Sequence, residues 1–211
     1  MCNFKSAIVL KNGDLLHNDF ADSHEDLIDL FNLKDDGKDN FVRVEFTTTE
    51  RKDIIENYKL NIDETSVPEW FEEFRERITD QLRDIVNNMI IREDHKIIIG
   101  RCIILAPGVT IDKIQHCVIL EMWGNSTVNI MWGNSTVKEM WGNSTVNTML
   151  GNSTVNTMQE NSTVNTMREN STVKTMWENS TVKTMWENST VNTMWGNSTV
   201  NQNSSKNKLS K

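Results

Sequence analysis

The chain has 211 residues, 22 basic and 30 acidic side chains, and a net charge of −8. Only 37% of residues are hydrophobic, and nowhere is there the run of about 20 apolar residues that a membrane-spanning helix needs. Two prolines and nine glycines exclude a collagen-like chain, which leaves one ordinary domain or a small domain with an appendage.

Met1–Lys5 shows no charged leader followed by a long apolar run, so no secretory signal is read and a cytoplasmic location is expected. The cysteines are Cys2, Cys102 and Cys117. An odd number at wide spacing fits a reducing compartment rather than a disulfide framework. A metal site drawn from Cys2, Cys102, His116 and Cys117 lacks the close paired spacing of zinc sites. No metal and no cofactor are expected.

The amino-terminal part reads as a small acidic α+β domain, 1–105. Ala7–Leu10 and Leu15–Leu16 flank Asn12-Gly13, a hairpin signal. Ser23 caps a helix through Leu27, Leu30 and Phe31, with Gly37 in the following loop. In Phe41–Thr47, Val42, Val44 and Phe46 alternate with Arg43 and Glu45, the period of a half-buried strand. Tyr58–Ile62 gives a weaker strand. Ser66-x-x-Glu69 with Pro68 opens a helix whose stripe is Phe71, Phe74, Ile78, Leu82, Ile85 and Met89. Lys96–Leu105 supplies one or two apolar strands. Residues 106–121 read as a cap that leads into the next region and covers its first edge.

From Met122 the sequence is a tandem repeat of nine residues, with copies starting at Met122, Met131, Met140, Met149, Met158, Met167, Met176, Met185 and Met194. Met, Asn, Ser, Thr and Val never change. The second position is Trp, Leu150, Gln159 or Arg168, so it belongs on the surface; the constant Val and Met belong inside. Nine is no multiple of 3.6, so an apolar stripe would wander around a helix. Ser-Thr-Val favours extended chain, and Gly-Asn or Glu-Asn falls where a turn is needed. A short strand and a turn at fixed length predict an all-β solenoid over 122–202, with 203–211 as a fraying tail. Nine residues are too few to close a coil. Two repeats per coil would place Trp123, Trp141, Gln159, Trp177 and Trp195 on one face, and Trp132, Leu150, Arg168 and Trp186 on the other. Three per coil is the competing arrangement. Asn ladders would bond along the axis, and Glu160 would stack on Glu178 and Glu169 on Glu187 at a mild like-charge cost.

Several activities fail on composition. A calcium-binding roll needs acidic turn ligands, yet the last Asp is Asp112. Residues 121–211 carry 7 basic and 6 acidic groups, a net +1 that suits neither a DNA mimic nor a nucleic-acid groove. Outward threonine ranks could meet ice, for which a cytosolic chain has little call. The expected partner is a protein or other macromolecule, with the six repeat tryptophans (Trp123, Trp132, Trp141, Trp177, Trp186 and Trp195) as binding residues. The competing reading is that the rings merely cover the Met and Val ladders. End-to-end self-association is a further possibility.

Cys2 is the candidate for chemistry. Removal of Met1 would leave its α-amine beside its thiol, the arrangement of an amino-terminal nucleophile hydrolase or amidotransferase. Partners would be sought among His17, His24, Asn12 and Asn18; His24 itself reads as a surface or capping residue. A structural spacer in an assembly is the third alternative.

Met1-Cys2-Asn3-Phe4-Lys5-Ser6-Ala7-Ile8-Val9-Leu10-Lys11, Asp22-Ser23-His24, Asp35-Asp36, Phe41–Glu45 and Pro68-Glu69-Trp70-Phe71 resemble an uncharacterised family of phage and prophage proteins, whose members also carry a tail of Ser-Thr-Val repeats. The resemblance implies a bacterial or phage cytoplasm and an accessory role, and no mechanism.

Overall fold

A computed structural model describes residues 5–21, 23–35 and 40–206. The chain divides into two compact units, 1–89 and 90–211. The second unit is a β-solenoid, and it begins about thirty residues before the first exact repeat.

In the first unit, β1 (Lys5–Leu10), β2 (Leu15–Leu16), β3 (Phe41–Thr47) and β4 (Lys59–Ile62) form an antiparallel sheet of order β2-β1-β3-β4. The Asn12-Gly13 hairpin forms as its sequence predicts, with Gly13 at φ +84°. A Cβ at Gly13 would overlap the Arg77 guanidinium and lie 2.8 Å from the Phe74 ring, so both side chains would have to move, and the positive φ itself disfavours any other residue. Arg77 Nη2 donates to the Gly13 carbonyl at 2.9 Å and so docks the turn on the helix that carries Arg77. Five consecutive buried residues in β1 show that both faces of that strand are covered.

Helix α1 (His24–Leu30) starts at Ser23, whose hydroxyl accepts from the Asp26 amide at 3.0 Å. The helix expected from Ser66 onward is interrupted. A short α2 (Glu69–Glu72) has Pro68 at its N-cap with no side-chain cap bond, and α3 (Arg75–Met89) follows. The chain joins them through consecutive three-residue turns, Phe71 N to Pro68 O and Phe74 N to Phe71 O. Phe71, Ile78, Leu82, Val86 and Met89 are buried, with Val86 replacing the expected Ile85 on the inner face.

In the second unit the odd sheet contains β5 (Ile90–Ile91), β7 (Cys102–Leu105), β9 (Val118–Met122), β11 (Thr136–Met140), β13 (Thr154–Met158), β15 (Thr172–Met176) and β17 (Thr190–Met194). The even sheet contains β6 (His95–Ile99), β8 (Thr110–Gln115), β10 (Thr127–Trp132), β12 (Thr145–Met149), β14 (Thr163–Met167), β16 (Thr181–Glu187) and β18 (Thr199–Ser205). All pairs are parallel, and within the repeats equivalent residues stand eighteen apart, as in Val146↔Val164 and Met158↔Met176. A coil is therefore two repeats.

Three sequence expectations change here. Residues 90–105, assigned above to the 1–105 domain, supply strands β5 to β7 of the solenoid. The 106–121 cap is instead two rungs, β8 and β9, in register with the repeats (Ile111↔Val128, Ile119↔Val137). Residues 203–205, expected to fray, lie in β18 against β16.

Val and Met turn inward as expected, and so does Ser, which was not predicted: Ser126, Ser144, Ser162 and their equivalents through Ser189 are fully buried. Val and Met are both buried although three residues apart, which strict alternation forbids. The pattern through each strand shows two consecutive outward residues between them, so the strand bends there. Parallel ladders then stack Val on Val and Met on Met into one continuous core.

Seven of the nine repeat turns are closed by a hydrogen bond from the Ser amide to the carbonyl at the Trp position, such as Ser144 N to Trp141 O at 3.3 Å, and at Ser135 the hydroxyl donates to the Trp132 carbonyl instead. The residue between Trp and Asn has positive φ in every described copy, +60° to +72° for Gly and +55° to +59° for Glu160, Glu169, Glu178 and Glu187. Left-handed backbone costs a residue with a Cβ about 1–2 kcal/mol. Each Glu offsets this by reaching back one coil. Its carboxylate accepts from the turn amide there: Gly142 N at 2.6 Å from Glu160, Gly151 N at 2.6 Å from Glu169, Glu160 N at 2.8 Å from Glu178, and Glu169 N at 2.7 Å from Glu187. The expected stacking of Glu on Glu is present, and the amides relieve the like-charge cost. The Asn ladders form too, as in Asn143 Nδ2 to Asn125 Oδ1 at 3.3 Å and Asn147 Nδ2 to Asn129 Oδ1 at 2.6 Å.

Candidate functional site

The six repeat tryptophans sit at the first position of the turns. Trp123, Trp141, Trp177 and Trp195 follow the odd strands β9, β11, β15 and β17, with Gln159 between the two pairs. Trp132 and Trp186 end or follow the even-strand cores, with Leu150 and Arg168 between them. These are the two columns expected from two repeats per coil.

The columns are not uniform. Trp123 stacks on Trp141 with centroids 5.4 Å apart and planes 8° from parallel. Glutamates two residues earlier hold both indoles: Trp123 Nε1 donates to Glu121 at 2.6 Å and Trp141 Nε1 to Glu139 at 2.9 Å. Trp177 stacks on Trp195 at 5.6 Å and 17°, but Thr175 and Thr193 stand where Glu139 stands in the ladder. This second pair is 42% and 53% exposed, whereas the first is half-buried. On the other column Trp132 is 44% and Trp186 39% exposed, and Lys113 Nζ lies 4.0 Å from the Trp132 ring centroid, a cation–π contact.

Ring removal has already happened inside the chain. Met158 and Met167 are as fully buried beside Gln159 and Arg168 as Met140 and Met176 are beside Trp141 and Trp177. The indoles are therefore not needed to cover the core, which weighs against a purely structural role.

Cys2 lies outside the described residues. Its suggested partners fall on a different footing. Asn12 and Asn18 close local turns, accepting from the amides of Asp14 and of Phe20 and Ala21. His24, expected at the surface, is 2% exposed; its Nε2 donates to the Val44 carbonyl at 3.0 Å and its Nδ1 lies 3.2 Å from the Asp63 carboxylate. It holds α1 to the sheet and leaves no ring nitrogen for chemistry. Among the described residues no group of three or more His, Cys, Asp or Glu is placed to hold a metal. Cys102 and Cys117 are buried free thiols, with Cys117 Sγ 3.3 Å from the Ile98 carbonyl.

His17 lines an open groove of about 570 Å³ with Asp14, Arg77 and Asp84. Burial, and after it the charge of Lys5, push its imidazole below the ordinary value, while Asp19 opposes. Its Nδ1 is buried without a hydrogen-bond partner among the described residues. The unfolded chain thus binds this proton at a higher pH than the folded chain. The contribution of neutral His17 is complete above the unfolded value near pH ~6.5 and is lost as pH falls toward the folded one. The protection factors of amides in β1 and β3, taken relative to intrinsic exchange at each pH, should fall below that pH, and His17→Gln should flatten the dependence. An equally steep dependence in the variant would remove His17 as its source.

Comparison with family models, with curated proteins and with solved structures yields no match. No relative lends this chain a function. No helix among the described residues is long and apolar enough to cross a membrane.

Proposed function

We propose that this chain is a non-enzymatic binding protein whose solenoid presents indoles to a protein partner, acting as an accessory protein of a phage or prophage in the host cytoplasm. The last part follows from the sequence resemblance alone. The observation that carries the docking role is the exposure of Trp132, Trp177, Trp186 and Trp195 over a core that stays closed where Gln159 and Arg168 replace the ring. Exposed indoles on a stiff parallel sheet lose little conformational freedom on binding, and tryptophan is, with tyrosine and arginine, enriched among the residues that carry binding energy at protein interfaces. The acidic first unit, with 11 basic and 21 acidic groups in residues 1–89, adds a net −10 that biases encounter toward basic surfaces.

The test replaces those four tryptophans by glutamine, the residue already present at position 159. The variant should keep the β-sheet circular dichroism of the parent. Partners captured on the parent chain from the cell of origin should bind the variant at least about tenfold more weakly, a loss of about 1.4 kcal/mol or more. A folded variant with an unchanged partner list would reject the indoles as the docking surface.

A further inference from the structure

We propose that the Trp177–Trp195 pair is a binding site for carboxylate side chains of an acidic protein segment. The inference rests on the docking role above and names the chemistry of one part of it. The first tryptophan pair shows what an indole in this position takes. At Trp123 and Trp141 the ring N–H is met by a carboxylate oxygen at 2.6 and 2.9 Å, supplied by Glu121 and Glu139. At Trp177 and Trp195 the backbone repeats itself, with β11 in register with β13, β13 with β15 and β15 with β17. The residue two places before each ring is now Thr175 or Thr193, which is two heavy atoms shorter than Glu and uncharged. No hydrogen bond reaches either indole nitrogen from the described residues.

Charge favours the same ligand. Lys174 precedes Thr175 and is exposed on the same strand. Its ammonium can meet an incoming carboxylate that the indole N–H orients. The nearest acid in sequence, Glu178, is already committed to the Glu160 amide. The rings supply an apolar floor for the methylene groups that carry the carboxylate.

The full chain labelled with ¹⁵N at tryptophan gives one indole N–H signal per ring. Titration with an acetylated tetraglutamate amide should move the signals of Trp177 and Trp195 and leave those of Trp123 and Trp141 in place; a tetraglutamine peptide should move none. Thr175→Glu with Thr193→Glu rebuilds the arrangement of the first pair, so it should fold, and it should weaken the peptide by about tenfold or more. Lys174→Asn, which copies the residue at that position in other repeats, should weaken it less. An equal response to tetraglutamine, no response to tetraglutamate, or undiminished binding by the double glutamate variant would overturn the assignment. If the four-tryptophan variant loses its partner while the double glutamate variant keeps it, the docking role stands and the carboxylate assignment falls. If partner capture ignores the tryptophans, the docking role itself falls.

Discussion

Met158→Ala should destabilise the solenoid by about 2–5 kcal/mol, the range for truncating a fully buried methionine. Met158 is 0% exposed and stands in a ladder between Met140 and Met176. Both neighbours belong to regular parallel strands whose backbone bonds fix their height, so they cannot close over the gap, and the cavity remains. The effect should be local in a way a globular core would not show. Each coil touches only the coils beside it, so stability propagates along one dimension. Amides from β13 to β18 should lose exchange protection before those of β7 to β9. Met194→Ala offers the control: that side chain is 9% exposed on the last rung of its column, and its loss should cost well under half as much. Urea melts followed by circular dichroism, with hydrogen exchange by strand, measure both. Equal costs at Met158 and Met194 would mean that the ladder does not act as a close-packed column.

How much of this was legible in the sequence depends on where the repeat is exact. Because position two accepts Trp, Leu, Gln and Arg while Val and Met never vary, inside and outside could be told apart from one chain. Coil closure left two or three repeats per coil open, and the eighteen-residue pairing of the strands decides for two. The burial of Ser was not foreseen, although its constancy in nine copies matched that of Val and Met. A small side chain is what the tight turn into the strand accepts. Before Met122 the period dissolves, and with it the signal. A trace survived in the three-residue spacing of Ile111–Ile114 and Ile119–Met122, the same interval that separates Val from Met; the structure aligns Ile111 with Val128 and Ile114 with Met131. The substitution of Glu for Gly gave no hint of its role, because the partner amide lies eighteen residues away. His24 was placed outside on its polar neighbours, and only the tertiary fold supplies the Val44 carbonyl and Asp63 that make its burial tolerable.

Deletions should separate the two kinds of position in the repeat more sharply than any point substitution. Removing residues 155–172, one whole coil, joins Thr154 to Val173 in the same phase. It should give a folded chain with one fewer rung and the Trp177–Trp195 stack intact. Removing Asn165 alone, inside β14, should be far more damaging. With one residue gone, Val164 and Met167 stand two apart and can both still face inward, but only one of them keeps its place in the ladder: with Val164 held against Val146 and Val182, Met167 falls one residue short of Met149 and Met185 and loses its slot between them. The expected cost is about 2–5 kcal/mol for a methionine displaced from its slot in the core, together with loss of protection in β14 and its neighbours. Removing Asn161, in the turn, should be milder. The molecule already contains such a short turn: Gln115 pairs with Trp132 and Val118 with Thr136, so the link from β8 to β9 has one residue fewer than the repeat. That turn keeps its left-handed residue, His116 at φ +54°, and the ladders continue past it. The order of damage should therefore be strand residue, then turn residue, then whole coil. If Asn165 and Asn161 deletions prove equally harmful, register in this solenoid is held by the turns as much as by the inward ladders.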